Sequence, residues 1–251
     1  MYSYQFTGES AVDWQKFIDI IYPPECPVCQ RILTEARDRQ VKVHHSCYKK
    51  LKRVTEPMCK RCGKPVLSPQ QEYCYDCSKG VVSYESGHSL WVYDACSSES
   101  VFHYKYSGRQ SYADFYGNAL VYFYGEWIRS LRVQQLIPVP LSQQKMKVRG
   151  FNQAGILAEK IGDKLQIPVN DSGLIRIHST APQKELGKLE REETLRNAFK
   201  AEGRYLRNIH RVLLIDDIYT TGSTVNYCAR ALKSAGVEKI WFLTLCTGAV
   251  F

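Results

Sequence analysis

The sequence predicts an α/β protein with a mostly parallel sheet and flanking helices, preceded by a small cysteine-rich module. Seven of the ten cysteines fall between Cys26 and Cys77. Further along the chain, short apolar segments alternate with helical patterns, which is typical of a parallel sheet. The clearest such unit is VLLIDDIYTTGST, residues 212–224, a strand followed by two acids and a small polar turn. We expect a module at residues 1–82, including an N-terminal helix, and an α/β domain at residues 83–251.

Composition is that of a globular chain. The 251 residues are 44% hydrophobic and 24% charged, and they suffice for one large domain with a small module. No apolar run reaches the roughly 18 residues of a membrane span. Glu9, Asp13, Lys16 and Asp19 interrupt the apolar core that a signal peptide needs. We therefore expect a cytoplasmic protein without a membrane span.

The net charge of +9 is concentrated in a basic patch. Between Lys42 and Lys64 eight basic residues face one acid, Glu56. The basic residues are Lys42, Lys49, Lys50, Lys52, Arg53, Lys60, Arg61 and Lys64. Such a patch can follow a nucleic-acid backbone, and an ordinary solvated face explains it equally well. Thiolates bound to metal nearby would cancel part of its charge.

Two CxxC turns predict a structural zinc site. Cys59 and Cys62 form one turn, and Cys74 and Cys77 form the next. Each turn directs two sulfurs at one tetrahedral ion, so the pair completes a zinc ribbon. Gly63 suits the tight turn after the first pair.

A further turn predicts a second zinc site. Cys26 and Cys29 form this turn, and His44 and Cys47 repeat its two-residue gap with an imidazole in place of one thiolate. His45 is the rival ligand, although its spacing to Cys47 suits a knuckle less well. The cysteine-rich segment has seven cysteines, an odd number, and this count and the cytosolic interpretation argue against disulfides. All four positions of each site are filled, so zinc would be structural.

Elements of the α/β domain follow in order after residue 82. A strand is predicted at residues 89–94, and a helix at 111–131 from apolar residues spaced by three, four, seven and eight. We expect the aromatic residues of this helix to pack in the core and not to serve as nucleobase platforms. A strand at 136–140 precedes a basic loop with Lys145, Lys147 and Arg149.

The remaining pattern completes the sheet. A helix is predicted at 149–162, a polar and mobile stretch from Arg176 to Lys200, a strand, turn and helix at 212–235, and a strand at 239–246. Ligands of such sheets bind beyond the carboxyl ends of the strands. The 212–224 turn and the basic loop would therefore lie on the same edge.

The turn after the strand at 212 has the chemistry of a ribose phosphate site. Backbone N–H groups from Thr221 to Thr224 can converge on an anion at the start of a helix, and Gly222 permits the close approach. A carboxylate only accepts hydrogen bonds, so Asp216 and Asp217 would suit the hydroxyls of a ribose. The motif lacks the lysine and the longer loop of a P-loop. An ordinary capped helix would explain the threonines but not the paired acids.

These residues carry a resemblance to a known family. The hydrophobic-D-D-x-x-x-T-G-x-T pattern resembles the phosphoribosyl pyrophosphate (PRPP) motif of type I phosphoribosyltransferases. The segment PVPLSQQKMKVRGFNQAGILA, residues 138–158, is similar to one in the ComF family of competence proteins. That family also has a T-x-x-Q-x-x-L…R…F block, matched by Thr180, Gln183, Leu186, Arg191 and Phe199. His44 and Thr194 depart from it, because relatives often have cysteine and asparagine there.

The resemblance implies a type I phosphoribosyltransferase-like sheet at 83–251 behind a double zinc ribbon. Asp216 and Asp217 would bind ribose hydroxyls, and the 5′-phosphate would lie on the turn formed by Thr220, Thr221, Gly222, Ser223 and Thr224. A loop near Val139, Pro140 and Leu141, with Lys145 and Arg149, would hold the pyrophosphate, joined to the ribose by Mg²⁺. Thr180 to Arg191 would form a lid that excludes water.

Three functions follow from this resemblance. The first is Mg²⁺-dependent transfer of phosphoribose, the chemistry of pentosyl glycosyltransferases, to an acceptor that the sequence does not specify. The second is DNA uptake in natural transformation, with single-stranded DNA on the basic patch, a helicase partner, and the PRPP fold as a scaffold or sensor. Both can hold together. Nucleobase salvage is the third, and two zinc knuckles are unusual in such enzymes.

Overall fold

The computed structural model describes residues 21–177 and 198–248. Its central sheet has four strands in the order β1-β6-β5-β2, and all neighbouring pairs are parallel. A separate antiparallel pair is formed by β3 and β4. The strands are β1 Gly87–Tyr93, β2 Gln135–Pro138, β3 Leu174–Arg176, β4 Phe199–Ala201, β5 Arg211–Tyr219 and β6 Lys239–Gly248. The predicted α/β class with a mostly parallel sheet is therefore confirmed.

Helices lie in the cysteine-rich module and on both faces of the sheet. The short helices of the module are α1 Ala36–Val41, α2 His45–Tyr48 and α3 Tyr75–Ser78. The helices beyond it are α4 Ala95–Tyr106, α5 Tyr112–Leu131, α6 Gln143–Arg149, α7 Gln153–Leu165 and α8 Ser223–Ser234. In the described part of the chain, no helix is both long and apolar enough to cross a bilayer.

The basic segment after β2 is a helix, so the prediction of a basic loop there is wrong. The hydroxyl of Ser142 accepts a hydrogen bond from the Lys145 N–H and caps the start of α6. Gly150 ends the helix in the left-handed region, at φ +77°. The next helix begins only at Gln153, with the Asn152 side chain as its cap. The predicted helix start at residue 149 is therefore four residues too early.

A helix and a hairpin of the α/β domain were not predicted. Helix α4 is started by a reciprocal cap in which Asp94 and Ser97 bind each other's backbone N–H groups. Its buried positions include Ser97 and Ser100, so the apolar pattern is weak. The hairpin of β3 and β4 closes the ends of the stretch that we expected to be mobile, and residues 178–197 lie outside the described part. The expected N-terminal helix falls on residues 1–20, which are also outside it.

The sheet separates two apolar cores, because alternate residues of a strand face opposite sides. On one side Leu213 and Leu243 pack with α5, α7 and two of the predicted zinc ligands, Cys26 and Cys47. We call the ligand group of Cys26, Cys29, His44 and Cys47 the first knuckle. On the other side Leu214 and Phe242 pack with α8 and the second knuckle, which consists of Cys59, Cys62, Cys74 and Cys77. The cysteine-rich module therefore contributes to the core on each face of the sheet. This arrangement brings the second knuckle close to the end of β5.

Candidate functional site

The two acids lie at the carboxyl end of β5, where the sheet edge opens. Asp216 is paired in register with Thr244 of β6, and β2 ends beside Ile215. The Asp217 N–H donates to Oδ1 of Asp216 over 2.8 Å. Burial and the repulsion of Asp217 raise the pKa of Asp216 to about 7. The free site therefore holds a proton near neutral pH.

The predicted anion turn follows directly. Gly222 has φ +84° and precedes Ser223, the first residue of α8. No side chain caps this helix start, and the first N–H groups of a helix have no partner within it. The hydroxyls of Thr221 and Ser223 lie 3.0 Å apart at the mouth of the turn, and Thr220 is exposed. Converging N–H groups and hydroxyls suit a phosphate monoester.

A pair of tyrosines supports this turn from below. The Tyr219 hydroxyl lies so close beneath Gly222 that a Cβ there would collide with it. Its ring stacks on Phe242 at 4.6 Å, and its hydroxyl is 2.8 Å from that of Tyr84. Tyr84 follows the second knuckle in the chain and packs in the same core cluster. Glycine is therefore required at position 222 by both its dihedral angle and its neighbour.

One cation near the acids, Lys105, was not predicted from the sequence. Lys105, near the end of α4, places its Nζ 2.9 Å from Oδ2 of Asp217, and each of the two side chains is only 14% exposed. A partly buried ion pair of this kind holds the ligand-free acids in place. Lys105 could not be singled out in the sequence because α4 has no clear apolar face and the chain contains many other lysines.

The predicted cations Lys145 and Arg149 lie on α6. Arg149 donates from Nη1 to Oε1 of Gln153 over 2.8 Å and from Nη2 to the Tyr106 hydroxyl over 3.0 Å. Its Nε is buried and has no acceptor among the described residues. Burial and the positive charge of Arg149 lower the pKa of Lys145. A buried donor without a partner fits a site that awaits an anion.

A cavity of about 530 Å³ lies beside this edge. Pro140 and Leu141 from the segment after β2 line it, as does Arg176 at the end of β3. Phe199 of the T-x-x-Q-x-x-L…R…F block lies on β4, with the Arg176 guanidinium 5.2 Å from its ring centre. Thr180, Gln183, Leu186 and Arg191, the predicted lid, lie outside the described residues.

The predicted zinc ligands come together in two groups. Cys26, Cys29, His44 and Cys47 form one group, and Cys59, Cys62, Cys74 and Cys77 form the other. Within each group all ligand atoms lie within 4.8 Å of one another. All ten cysteines of the chain are free thiols, so none of these forms a disulfide. Three or four sulfurs at this separation suit tetrahedral zinc.

The geometry favours His44 over its rival. Its Nδ1 lies 3.3 Å from the Cys29 sulfur. His45 instead opens α2, where its backbone N–H donates to Oδ1 of Asp38, and its side chain is exposed. The arrangement follows from the helix start between the two histidines. Structural zinc at both sites is therefore supported by the donor sets.

Comparison with known proteins agrees with this architecture. Residues 17–78 match the double zinc ribbon domain, and residues 148–250 match the phosphoribosyl transferase domain. Competence protein F of Haemophilus influenzae is 30% identical over 199 residues, which cover 77% of this chain and 85% of that protein. Competence protein ComFC of Bacillus subtilis is 28% identical over 202 residues, 78% and 79% of the two chains.

A third relative carries a different name. DNA utilization protein YhgH of Escherichia coli is 26% identical over 201 residues, covering 77% of this chain and 86% of the relative. These relatives span most of the chain, from the knuckles to the sheet. With its double zinc ribbon ahead of a phosphoribosyltransferase sheet, the chain belongs to the ComF family of competence proteins.

Proposed function

We propose that the chain binds PRPP with Mg²⁺ at the edge formed by β2 and β5, and that it serves DNA uptake or utilisation. The observation that carries the first part is the position of Asp216 and Asp217 before the uncapped start of α8, with the positive charges of Lys105 and Lys145 nearby. Acids alone would repel a phosphate. A ribose 5-phosphate brings hydroxyls for the acids and an anion for the turn.

The ligand would lie along the edge in one direction. Its 5′-phosphate would accept hydrogen bonds from the N–H groups at the start of α8 and from Thr221 and Ser223. Its 2′- and 3′-hydroxyls would donate to Asp216 and Asp217, whose oxygens all act as acceptors when the carboxyls are ionised. Binding would therefore release the proton that Asp216 holds in the free protein.

The pyrophosphate end would face α6 and α4. Lys145, Arg149 and Lys105 supply the positive charge there, and the buried Nε of Arg149 has a donor to offer. The acids, the hydroxyls of the ribose and the pyrophosphate form an oxygen-rich set that suits Mg²⁺. When bound, Mg²⁺ neutralises charge on the pyrophosphate as it departs. Pro140 and Leu141 would border the same end.

Transfer to an acceptor would pass through an oxocarbenium-like state at the ribose carbon, as glycosidases do. The chain's own contribution would be electrostatic, since cations around the leaving group stabilise the charge that develops there. No side chain at this edge is assigned as a general base. The acceptor stays unassigned, so a protein that only senses PRPP is the alternative within this proposal.

Calorimetry tests the binding part. PRPP should bind in the presence of Mg²⁺, and Asp217→Asn should weaken binding by tenfold or more, since charge-assisted hydrogen bonds contribute about 1.5–3 kcal/mol. Asp163→Asn, at an exposed acid on α7, is the matched control and should leave the affinity unchanged. Absence of PRPP binding to the intact protein would end the proposal. A second measurement follows the release of pyrophosphate when candidate acceptors are added. Release would indicate a transferase, which includes a salvage enzyme, whereas binding without release would indicate a sensor.

The second part concerns DNA. The curated relatives carry the names competence protein and DNA utilization protein. In this chain Lys49, Lys50, Lys52 and Arg53 are exposed beside the first knuckle. These residues could hold the phosphates of a single strand in the cytoplasm, where a helicase would deliver it, as the resemblance implies. Each neutralised phosphate releases counterions, so binding would weaken as salt rises.

A salt series tests this part. Affinity for a fluorescent oligothymidylate should fall steeply between 50 and 200 mM salt, and the triple variant Lys49→Ala, Lys50→Ala, Lys52→Ala should flatten the slope. Lys160→Ala together with Lys164→Ala, on α7, changes charge away from the patch and should leave the slope unchanged. Salt-independent binding, or none, would remove the DNA part and leave the PRPP part intact.

A further inference from the structure

A groove outside the sheet edge joins the basic patch to a row of aromatic side chains. It lies between α1 and α2 of the cysteine-rich module and the outer side of α5, and it has a volume of about 560 Å³. Tyr48, Tyr122 and Phe123 supply aromatic walls, and Val41 and Val43 add apolar surface. Most of the lining is therefore apolar, although the groove is open to solvent.

The aromatic residues of α5 divide into two sets, which changes the expectation from the sequence. Tyr112, Phe115 and Tyr116 are buried in the core as expected. Tyr122 is 83% exposed, and Phe123 is only partly buried. Together with Tyr48, Val41 and Val43 these rings form a continuous apolar surface with polar residues at its rim, which is a feature of interaction sites.

The charges around the groove are positive. The Arg53 guanidinium lies over the Phe123 ring, 4.6 Å from its centre. Arg37 and His45 line the groove, and Lys49 and Lys50 follow Tyr48 directly along the chain. The acid in the lining, Asp38, is buried and accepts a hydrogen bond from the His45 N–H. The groove thus combines flat apolar faces with a cationic border.

We propose that this groove binds unstacked bases of single-stranded DNA, with Tyr122 and Phe123 as stacking surfaces and the adjoining lysines on the phosphates. Every base offers a flat face, so stacking on aromatic side chains tolerates any sequence, while lysines follow the charged backbone. A purely apolar protein partner would leave the cationic border without a complement. The inference rests on the DNA part of the proposed function, because it names the site at which the strand would bind.

Two probes of equal charge separate base contacts from backbone contacts. One is a fluorescent fifteen-residue oligothymidylate, and the other is an abasic strand of the same length. The intact protein should bind the first about fivefold or more tightly than the second, since stacking of one base is worth at least that factor. Tyr122→Ala should remove this preference and leave abasic binding unchanged, and Tyr122→Phe should keep it.

Tyr205→Ala is the matched control. Tyr205 is an exposed aromatic residue with Arg204 4.6 Å from its ring centre, as Arg53 is from Phe123, but it does not line the groove. This variant should retain the preference for bases. Photo-crosslinking of a strand that carries 5-iodouracil should in addition attach the base to the peptide containing Tyr122.

The outcomes are distinct. Equal affinity of the intact protein for both probes would overturn the proposal that bases stack in the groove, while the binding of the DNA backbone would stand. A preference for bases that survives in Tyr122→Ala, with no crosslink on α5, would also overturn it. A Tyr122→Ala protein that changes from dimer to monomer would assign the groove to a second copy of the chain. No binding of either probe would instead remove the DNA part of the proposed function.

Discussion

At the scale of single residues, the acids of β5 are set by their neighbours as much as by the motif. Asp217 is neutralised by Lys105 from a different helix, whereas Asp216 keeps a raised pKa. Burial and a neighbouring negative charge favour the protonated form of a carboxyl, whereas a nearby cation favours the ionised form. Near neutral pH a fraction of Asp216 is therefore protonated in the free protein.

PRPP affinity should rise with pH because of Asp216. Its pKa in the free protein, about 7, lies above its ordinary value, so the carboxyl is protonated at pH 6 and ionised at pH 8. The ionised form accepts more strongly from the ribose hydroxyls, so affinity should increase by up to about tenfold per pH unit below 7 and level off above it. Calorimetry at pH 6, 7 and 8 measures this trend.

The control for that series is Asp216→Asn. Titration of the ligand's own phosphates is common to both proteins, so only the difference between them reports Asp216. The variant should show a flatter profile and weaker binding at pH 8. Identical profiles for the two proteins would show that Asp216 does not exchange a proton with the ligand.

Lys105→Ala should weaken PRPP binding by about tenfold to a hundredfold. The change removes a charge-assisted contact and leaves two uncompensated acids facing an anionic ligand. Lys160→Ala is the matched control, because its Nζ lies 2.7 Å from Oδ1 of Asp114, between α7 and α5. Calorimetry of both variants measures the difference. An affinity that improves in Lys105→Ala would mean that the ion pair only blocks the acids.

At the scale of elements, the ends of helices decide what the site presents. The start of α8 is left without a side-chain cap where a phosphate would bind, whereas α6 and α7 are capped by Ser142 and Asn152. The C-terminal end of α7 carries a residue that is unfavourable for its backbone conformation. Gln166 takes a left-handed conformation there, at φ 56°, although glycine is the residue that adopts it without strain.

Gln166→Gly should therefore stabilise the protein by roughly 1 kcal/mol, because it removes the steric cost of a left-handed side chain. Gln166 is exposed, and its side chain makes one local hydrogen bond, to the Asp163 carbonyl. Chemical denaturation measures the free energy of unfolding. Gln166→Ala keeps the strain and loses the bond, so it should not stabilise. Equal stability of the glycine and alanine variants would contradict the argument.

Local motifs allowed most of this site to be predicted from the sequence. The CxxC turns and the DD…TTGST turn depend on contacts within a few residues, so their spacing carries the geometry. Lys105 and Tyr122 could not be found in this way. Their roles depend on which helix packs beside which strand end or knuckle, and no spacing along the chain records that. The helix α4 was hidden because small polar residues fill its buried positions.

At the scale of the whole molecule, the second knuckle and the phosphate turn share one core. Gly222 rests on Tyr219, whose hydroxyl is 2.8 Å from Tyr84, and both tyrosines pack in the cluster that contains the four cysteines. The N–H of Ser83 also donates to Oδ1 of Asn226 in the first turns of α8. The proposed division at residues 82 and 83 therefore separates sequence segments that are packed together.

Removal of zinc should weaken PRPP binding as well as stability. Without the ion the four thiols no longer hold the knuckle, and the support beneath Gly222 loosens. Treatment with a strong zinc chelator should lower the melting temperature and the PRPP affinity together, with metal loss followed by elemental analysis. Tyr84→Phe, which breaks the hydroxyl pair but leaves the zinc ligands in place, should lower the affinity without loss of metal. Unchanged affinity in the zinc-free folded protein would contradict this coupling.

The order of strands has a consequence for how the chain is made on the ribosome. Among the strands that the structure describes, β1 pairs in the sheet only with β6, and β6 pairs with β5 along its opposite edge. About 150 residues separate β1 from its partner, so β1 leaves the ribosome long before it can pair. The knuckles, in contrast, close over short distances and can take up metal early. Zinc binding would thus order the cysteine-rich module while the later strands of the sheet are still being synthesised.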